Sequence, residues 1–227
     1  MFLYRPRPII KPCHRGAPVI RCFVGLPLPP SYHDHLSALL SRLRPLVRAR
    51  LSWTRPENWH LTLKFLGETE PDRVAAATAA LAGVRFPGFT LQAGGGGFFP
   101  DGRRPRVLWV GLIQGGPESA ALAQAVDQAL TPPGFAPEER PFTAHLTLGR
   151  VKDDPGQDWS RVLNLLGSTA WPVAAMERLV FWESRLGPRG PAYAPLAEYP
   201  LSAVSGDRIQ PSGENTKRNE AGEKSEA

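Results

Sequence analysis

Apolar and polar residues alternate in seven short stretches of the chain, a pattern typical of half-buried β-strands. The first stretch stops at Pro27, and the second is closed by Gly67. The predicted strands cover 19–26, 59–66, 89–93, 106–112, 142–151, 174–183 and 193–201. The glycine run at 94–97 is interpreted as a loop or bulge, because it is not followed by the Gly-Lys-Ser/Thr of a phosphate-binding loop.

Four further stretches carry apolar residues at helical spacing. In the first of them Ser31 is the expected N-cap, and Pro45 bends or ends the helix. The predicted helices span 31–47, 72–84, 119–130 and 159–166. The order strand, helix, strand, helix, strand therefore occurs twice. This order predicts an α+β domain with two similar lobes, whose central antiparallel sheets are flanked by helices.

The tetrapeptide His-Leu-Thr-Leu is present twice, at 60–63 and at 145–148. Because strand side chains alternate between faces, each copy directs its His and Thr to one face and its leucines to the other. Strand propensity can repeat Leu and Thr, but a His in the same register at both sites is an independent coincidence. Two such strands side by side would surround one pocket with two imidazoles and two hydroxyls. These groups can take a proton from water, give one to a leaving oxygen and hold phosphoryl oxygens.

Length and charge divide the chain into three parts. With 227 residues, 42% of them hydrophobic, the chain can bury a sizeable core. We expect an irregular basic arm at 1–18, a folded domain at 19–203 and a disordered polar tail at 204–227. The net charge of +6 suits a polyanionic partner such as RNA. Arginine enrichment also follows, however, from a GC-rich genome.

Composition also argues against several protein classes. Cys13 and Cys22 are too few for a disulfide framework or a zinc site, and Cys22 is expected in the core of the first strand. No segment approaches the ~18 consecutive apolar residues that cross a membrane. Arginine and proline interrupt the first residues before a signal sequence can form. The sequence thus predicts a soluble, cytoplasmic and monomeric protein without a bound metal.

The segments around the two tetrapeptides read RPENWHLTLKFLGE at 55–68 and FTAHLTLGR at 142–150. They resemble the two signature segments of the two-histidine phosphoesterases. Within that superfamily they are similar to the RNA 2′,3′-cyclic phosphodiesterases, long called 2′-5′ RNA ligases. RCFVGLP at 21–27 and RVLWVG at 106–111 support the match, which covers 19–203. Thr143-Ala144 departs from the proline-containing approach to the second His in many relatives.

The resemblance implies a bilobal fold whose cleft is floored by the two motif strands. It also implies hydrolysis of a terminal 2′,3′-cyclic phosphate on RNA to a 2′-phosphate, without metal or other cofactor. By analogy with the family, His60 is the proton donor to the leaving oxygen and His145 the proton acceptor from water. Thr62 and Thr147 are expected to donate hydrogen bonds to the non-bridging oxygens, where charge builds up in the transition state.

Further residues are candidate substrate contacts. Arg150 lies just past the second motif, and strict alternation would place it on the leucine side unless the strand ends or twists there. Lys64 continues the face of His60 and Thr62, although a lysine there can also extend out of the cleft. Phe23 or Trp59 is a candidate to stack on the terminal base, as aromatic residues do in many single-stranded RNA sites, although both can also belong to the core.

Other functions share the same residues. The reverse reaction of the same pocket would join a 2′,3′-cyclic phosphate to a 5′ hydroxyl as a 2′-5′ linkage. A small-molecule cyclic phosphodiesterase needs the same four side chains, and an extended basic path beyond the cleft would favour RNA instead. A non-catalytic RNA- or nucleotide-binding module would be expected to lose a His or a Thr, and all four are present.

Overall fold

The computed structural model describes residues 19–101, 104–188 and 190–202. Each stretch that the sequence predicts to be a strand contains one. The predicted arm at 1–18 and the predicted tail at 204–227 lie outside these residues. Within them, the strands are β1 (Ile20–Pro27), β2 (Arg50–Trp53), β3 (His60–Thr69), β4 (Phe89–Phe99), β5 (Val107–Gln114), β6 (Leu146–Asp153), β7 (Val173–Met176), β8 (Arg178–Gly187) and β9 (Gly190–Pro200). The α-helices are α1 (Pro30–Leu43), α2 (Pro71–Leu81), α3 (Gly116–Leu130) and α4 (Ser160–Ser168).

The strands form one antiparallel sheet that consists of two halves. Its order is β7-β4-β5-β6-β3-β1-β8-β9, and β2 also pairs with β6. The halves meet where β3 and β6 share a single residue pair, Leu61 with Leu146. Beyond that pair β6 is hydrogen-bonded to β2 instead. The motif strands therefore lie at the centre of the sheet, as the duplicated order of elements predicts.

The predicted twofold repeat of elements is confirmed. One unit is β1-α1-β3-α2-β4, and the other is β5-α3-β6-α4-β8. The last strand of each unit crosses to the other half, because β4 pairs with β5 and β8 pairs with β1. The two halves are thus each built from both units, and the α+β class with two similar lobes is confirmed.

The long helices also cross between the halves. Tyr32 of α1 is fully buried, and its hydroxyl donates to the carbonyl of Pro172 at 2.8 Å and accepts from the Ala93 amide of β4 at 2.9 Å. In the other half, α3 packs on β3, where Lys64 donates to Asp127. Each motif strand is held from behind by a leucine-rich core, as Leu61 and Leu146 are at most 1% exposed.

Several local predictions need correction. The stretch predicted as one strand at 174–183 is two strands interrupted at Glu177, because β7 pairs with β4 and β8 with β1 at opposite sides of the sheet. Strand β2 was not predicted, and Pro29 rather than Ser31 is the N-cap of α1. The glycine run does lie at a bulge, between Gly94 and Gly97 of β4. Cys22 is buried in the core as expected.

Candidate active site

The four motif side chains face one another across the junction of β3 and β6. Leu61 pairs with Leu146 in antiparallel register. One step to either side, His60 therefore lies opposite Thr147, and Thr62 lies opposite His145. Each imidazole thus has the hydroxyl of the other motif as its cross-strand neighbour, an arrangement with approximate twofold symmetry.

Both imidazoles are oriented by the chain two residues before them. Nδ1 of His60 lies 2.7 Å from the carbonyl oxygen of Asn58, and Nδ1 of His145 lies 2.8 Å from that of Thr143. A carbonyl only accepts, so each Nδ1 carries the proton and donates it. In the neutral ring Nε2 is then an unprotonated acceptor. The Thr62 hydroxyl lies 2.8 Å from Nε2 of His60 and donates to it.

Aromatic side chains pack around each imidazole. His60 contacts Phe23 at a centroid distance of 4.7 Å and the ring of Tyr193 at 5.2 Å, nearly at a right angle. His145 contacts Phe99 edge-on at 4.9 Å. Phe23 is only 2% exposed, so it has no free face for a base, and the expectation that it stacks on the substrate is not met. Its ring packs against the imidazole of His60 instead.

Burial keeps both histidines neutral in the free protein. It lowers the pKa of His60 from 6.5 to about 4, although the hydrogen bond to Asn58 raises it and the nearby His145 lowers it further. Burial is also the main cause of the lowered pKa of His145, which its bond to Thr143 opposes and the positive charge of Arg150 reinforces. At neutral pH both rings therefore present an unprotonated Nε2.

A β-bulge in each motif strand decides which later side chains reach the pocket. In β3, Gly25 pairs with Thr62 and the next residue, Val24, pairs with Lys64, so Leu63 is the extra residue. In β6, the partners of Trp109 and Leu108 are Thr147 and Gly149, which makes Leu148 the extra residue. A bulge reverses the alternation that follows it. Phe65 and Arg150, each five residues after its motif histidine, are thereby turned toward the pocket.

The bulge also explains why Lys64 is not where strict alternation put it. Its side chain is only 7% exposed, and Nζ donates to Asp127 and, at 2.7 Å, to the carbonyl oxygen of Ala136. It thus lies on the opposite face from His60 and Thr62, between β3 and α3. The expectation that Lys64 shares their face is wrong, because two consecutive residues, Leu63 and Lys64, are buried at the bulge.

A pocket of about 150 Å³ lies over three of the four motif residues, and His145, which immediately precedes β6, is not among the residues that line it. It is lined by His60, Thr62, Thr147 and Arg150, together with Ser52, Trp53, Thr54, Arg55, Asn58, Phe65, Gly190, Pro191 and Tyr193. Phe65 and Tyr193 were not predicted. The pairing of β9 with β8 brings Tyr193 here from far along the chain. Phe65 depends on a bulge that periodicity alone does not reveal.

Comparison with known proteins agrees with this arrangement. The sequence pattern of the LigT-like phosphoesterases matches residues 26–109 and 114–193, which together are more than half of the chain. The chain belongs to the LigT-like phosphoesterase family. The resemblance to the two-histidine phosphoesterases is thereby confirmed. Within the described residues, this phosphoesterase has no group of three or more His, Cys, Asp or Glu arranged to hold a metal ion.

Several relatives of this phosphoesterase have curated names. The RNA 2′,3′-cyclic phosphodiesterase of Aeropyrum pernix is 32% identical over 174 residues, which are 75% of this chain and 98% of that protein. The protein of the same name from Archaeoglobus fulgidus is 31% identical over 78% of this chain and 98% of its own length. The Thermotoga maritima protein of that name is 34% identical over 65% of this chain and 78% of its own.

Solved structures show the same fold. The crystal structure of Escherichia coli LigT in its apo form covers 82% of this chain and 99% of its own, with a TM-score of 0.66 and 24% identity. The TT0787 protein of Thermus thermophilus covers 81% of this chain and 99% of its own, with a TM-score of 0.62 and 25% identity.

No helix of the described residues is both long and apolar enough to cross a membrane.

Proposed function

We propose that this phosphoesterase is an RNA 2′,3′-cyclic phosphodiesterase that opens a terminal cyclic phosphate to a 2′-phosphomonoester. The observation that supports the proposal is the single pairing of Leu61 with Leu146, which brings the two His-Thr motifs side by side, with His60, Thr62 and Thr147 lining one pocket. The names of the relatives from Aeropyrum pernix and Archaeoglobus fulgidus support the same reaction. An RNA substrate also agrees with the expected cytoplasmic location, which stays a prediction.

The reaction needs one proton acceptor and one proton donor on opposite sides of phosphorus. The oxygen of a water molecule attacks phosphorus, and Nε2 of His145 takes its proton. The bond from phosphorus to the 3′ oxygen breaks, and Nε2 of His60 gives a proton to that oxygen. The product is a 2′-phosphate and a free 3′ hydroxyl, and each histidine ends in the protonation state opposite to its first.

The acid has to gain its proton while the substrate is bound. Burial lowers the pKa of His60 to about 4 in the free protein, so its acid form is scarce at neutral pH. A bound phosphodiester anion raises the pKa of an adjacent imidazole, because opposite charges stabilise each other. The charge of Arg150 disfavours protonation of His145. The assignment of His145 as base and of His60 as acid follows the resemblance to the family.

The two threonines act on the non-bridging oxygens. Their hydroxyls flank the junction from both strands, and the Thr62 hydroxyl already donates to His60 when no substrate is present. A phosphoryl oxygen would replace Nε2 as the acceptor of that hydrogen bond when His60 becomes protonated. Donors fixed in this way stabilise the negative charge that develops on the non-bridging oxygens of the pentacoordinate transition state. Arg150 supplies a cation at the pocket for a polyanionic substrate.

The test is a single-turnover assay on an oligoribonucleotide with a 2′,3′-cyclic phosphate end, with EDTA present. The product is compared with 2′- and 3′-phosphate standards for the wild type, His60→Ala and His145→Ala. We expect a 2′-phosphate from the wild type and a rate at least about 10²-fold lower from each variant. A rate unchanged by both substitutions would refute the two-histidine mechanism.

Two arms of the same assay address the alternatives. An added 5′-hydroxyl oligonucleotide gives a joined 2′-5′ product if ligation competes, and water should prevail because it is in large excess. Nucleoside 2′,3′-cyclic phosphates turned over faster than the oligonucleotide would favour a small-molecule substrate. Binding of the oligonucleotide without turnover would identify a non-catalytic module.

A further inference from the structure

We infer that Asn58 is a positioning residue that ties its own turn to the hairpin of β8 and β9 and thereby orients the imidazole of His60. The inference rests on the proposed function, in which His60 gives a proton to the leaving oxygen. It adds a residue that acts through His60 and not on the reacting atoms. Three observations support it: the two hydrogen bonds of Asn58, its burial, and the contrast with the segment before His145.

Asn58 is bonded through its backbone and through its side chain. Its carbonyl oxygen accepts the proton on Nδ1 of His60 at 2.7 Å. Its side-chain amide donates to the carbonyl oxygen of Pro191, 133 residues further along the chain, also at 2.7 Å. Because both bonds belong to one residue, the position of β9 determines the position of the carbonyl that orients His60. Nε2, on the far side of the ring, is aimed accordingly.

The turn that carries Asn58 has few constraints of its own. It is a single 3₁₀ turn, Pro56–Asn58, in which the Asn58 amide donates to the carbonyl of Arg55 at 2.9 Å. Such turns have poorer hydrogen-bond geometry than an α-helix. The Asn58 residue is only 3% exposed, so its side chain has little water to exchange for Pro191, and a buried amide left unpaired is costly. The bond to Pro191 is therefore what fixes the turn.

The same strand contacts His60 a second time. Tyr193 follows Pro191 by two residues, and its ring packs edge-on against the imidazole at a centroid distance of 5.2 Å. Gly190, Pro191 and Tyr193 all line the pocket. A shift of β9 would therefore disturb the ring of His60 and the carbonyl to which this ring donates at the same time. Asn58 is the link that makes the two contacts move together.

His145 is oriented by a less constrained segment. Its Nδ1 donates to the carbonyl of Thr143 at 2.8 Å, but Thr143 is exposed and lies in the irregular stretch 141–145. The difference suits the two roles. The water that His145 activates is mobile and can move to meet the base, whereas the 3′ oxygen is held in the ring of the bound substrate. The acid therefore has to be aimed within a narrower range of directions, which a second anchor provides.

The test replaces Asn58 by leucine, which has nearly the same shape but cannot donate to Pro191. We measure kcat and KM on two oligoribonucleotides with 2′,3′-cyclic phosphate ends, one natural and one with sulfur in place of the 3′ oxygen. When the bond from phosphorus to sulfur breaks, sulfur leaves as a thiolate and needs no proton, because a thiol is far more acidic than an alcohol.

On the natural ester, Asn58→Leu should lower kcat about tenfold at an almost unchanged KM, because a misdirected acid slows the proton transfer and not the binding. On the sulfur ester, the kcat of the variant should equal that of the wild type. His60→Ala, which lacks the acid altogether, should show the same pattern with a larger loss on the natural ester.

A second readout is the ¹⁵N NMR spectrum of the histidines at neutral pH, which distinguishes the two neutral tautomers. In the wild type, His60 should carry its proton on Nδ1 alone. In Asn58→Leu, the carbonyl acceptor is no longer held in place, and part of His60 should carry the proton on Nε2 instead. The signals of His145 should stay unchanged, because Thr143 orients that ring.

The matched control is Gln92→Leu on β4. The Gln92 side chain also donates to a distant backbone carbonyl at 2.7 Å, that of Trp171, but Gln92 does not line the pocket. This variant should lose stability but keep both kcat values and the tautomer of His60. If Asn58→Leu does not fold, Asn58→Ser takes its place with the same expected results, since a hydroxyl one bond shorter leaves the Pro191 carbonyl out of reach.

Several results would overturn the inference while the proposed function stands. They are an unchanged kcat on the natural ester, an equal loss of kcat on both esters, and an unchanged tautomer of His60 in the Asn58 variant. A wild-type protein that turns over neither ester would instead refute the proposed function itself.

Discussion

Replacing Lys64 by methionine tests whether this lysine stabilises the fold rather than binding substrate. Its ammonium group donates to Asp127 and to the carbonyl of Ala136. Methionine keeps most of the apolar stem but removes the charge and both donors. The Asp127 carboxylate, 20% exposed, would retain the amide of Glu138 at 3.2 Å as a partner.

The expected cost follows from this burial. Removing one partner of a buried ion pair costs about 3 to 5 kcal/mol. The lower end applies here, because water can reach Asp127 once Lys64 is gone. We therefore expect the free energy of unfolding to fall by about 3 kcal/mol, which corresponds to a decrease in Tm of about 6 to 12 °C for a domain of this size.

Urea denaturation of Lys64→Met, Asp127→Asn and the double variant gives the coupling energy of the pair. Lys152→Met is the matched control, since this exposed lysine lies on β6 and should change stability by less than about 0.5 kcal/mol. At a temperature where Lys64→Met is folded, its kcat/KM on the cyclic phosphate should equal that of the wild type. Unchanged stability combined with a tenfold loss of kcat/KM would return Lys64 to the substrate site and refute the reasoning.

Four more predictions follow from the geometry of the motifs. His60 binds a proton near pH 6.5 in the unfolded chain but only near pH 4 in the folded chain. The free energy of unfolding should therefore fall by about 3 kcal/mol as the pH is lowered from 6.5 to 4. Chemical denaturation of His60→Gln should show a weaker dependence of stability on pH over the same range. If bound substrate raises that pKa, the basic limb of the kcat profile should lie at higher pH than that of kcat/KM; coincident limbs would contradict this effect. Thr147→Val should lower kcat by about 10²-fold in steady-state assays with little change in stability. Gly25→Ala should destabilise the protein, as its Cβ would crowd the carbonyl oxygen of Leu61, and an unchanged Tm would show that the strands can separate there.

The sequence pattern predicted those elements whose position depends only on the alternation of apolar and polar side chains. The alternation of Leu61 and Leu146 with polar neighbours located the motif strands, and the duplicated tetrapeptide located the pocket. The side chains after each motif were placed wrongly or left open, because a single extra residue in a strand reverses every later position. That residue is visible only in the pairing with the neighbouring strand. For this reason Lys64 is turned away from the pocket, and Phe65 and Arg150 are turned toward it.

The exchange of strands between the two halves has a consequence for how the chain folds. A cut between β4 and β5 would separate the two sequence repeats, but each fragment would carry one strand, β4 or β8, that pairs with a strand of the other fragment. Helix α3 would lose β3, on which it packs, and Tyr32 of α1 would lose the carbonyl of Pro172. Such fragments should be unfolded alone and fold only when mixed, as an interlocked pair. The two histidines are therefore brought together by the same long-range contacts that complete both halves of the sheet, and the pocket forms in the same cooperative transition as the core.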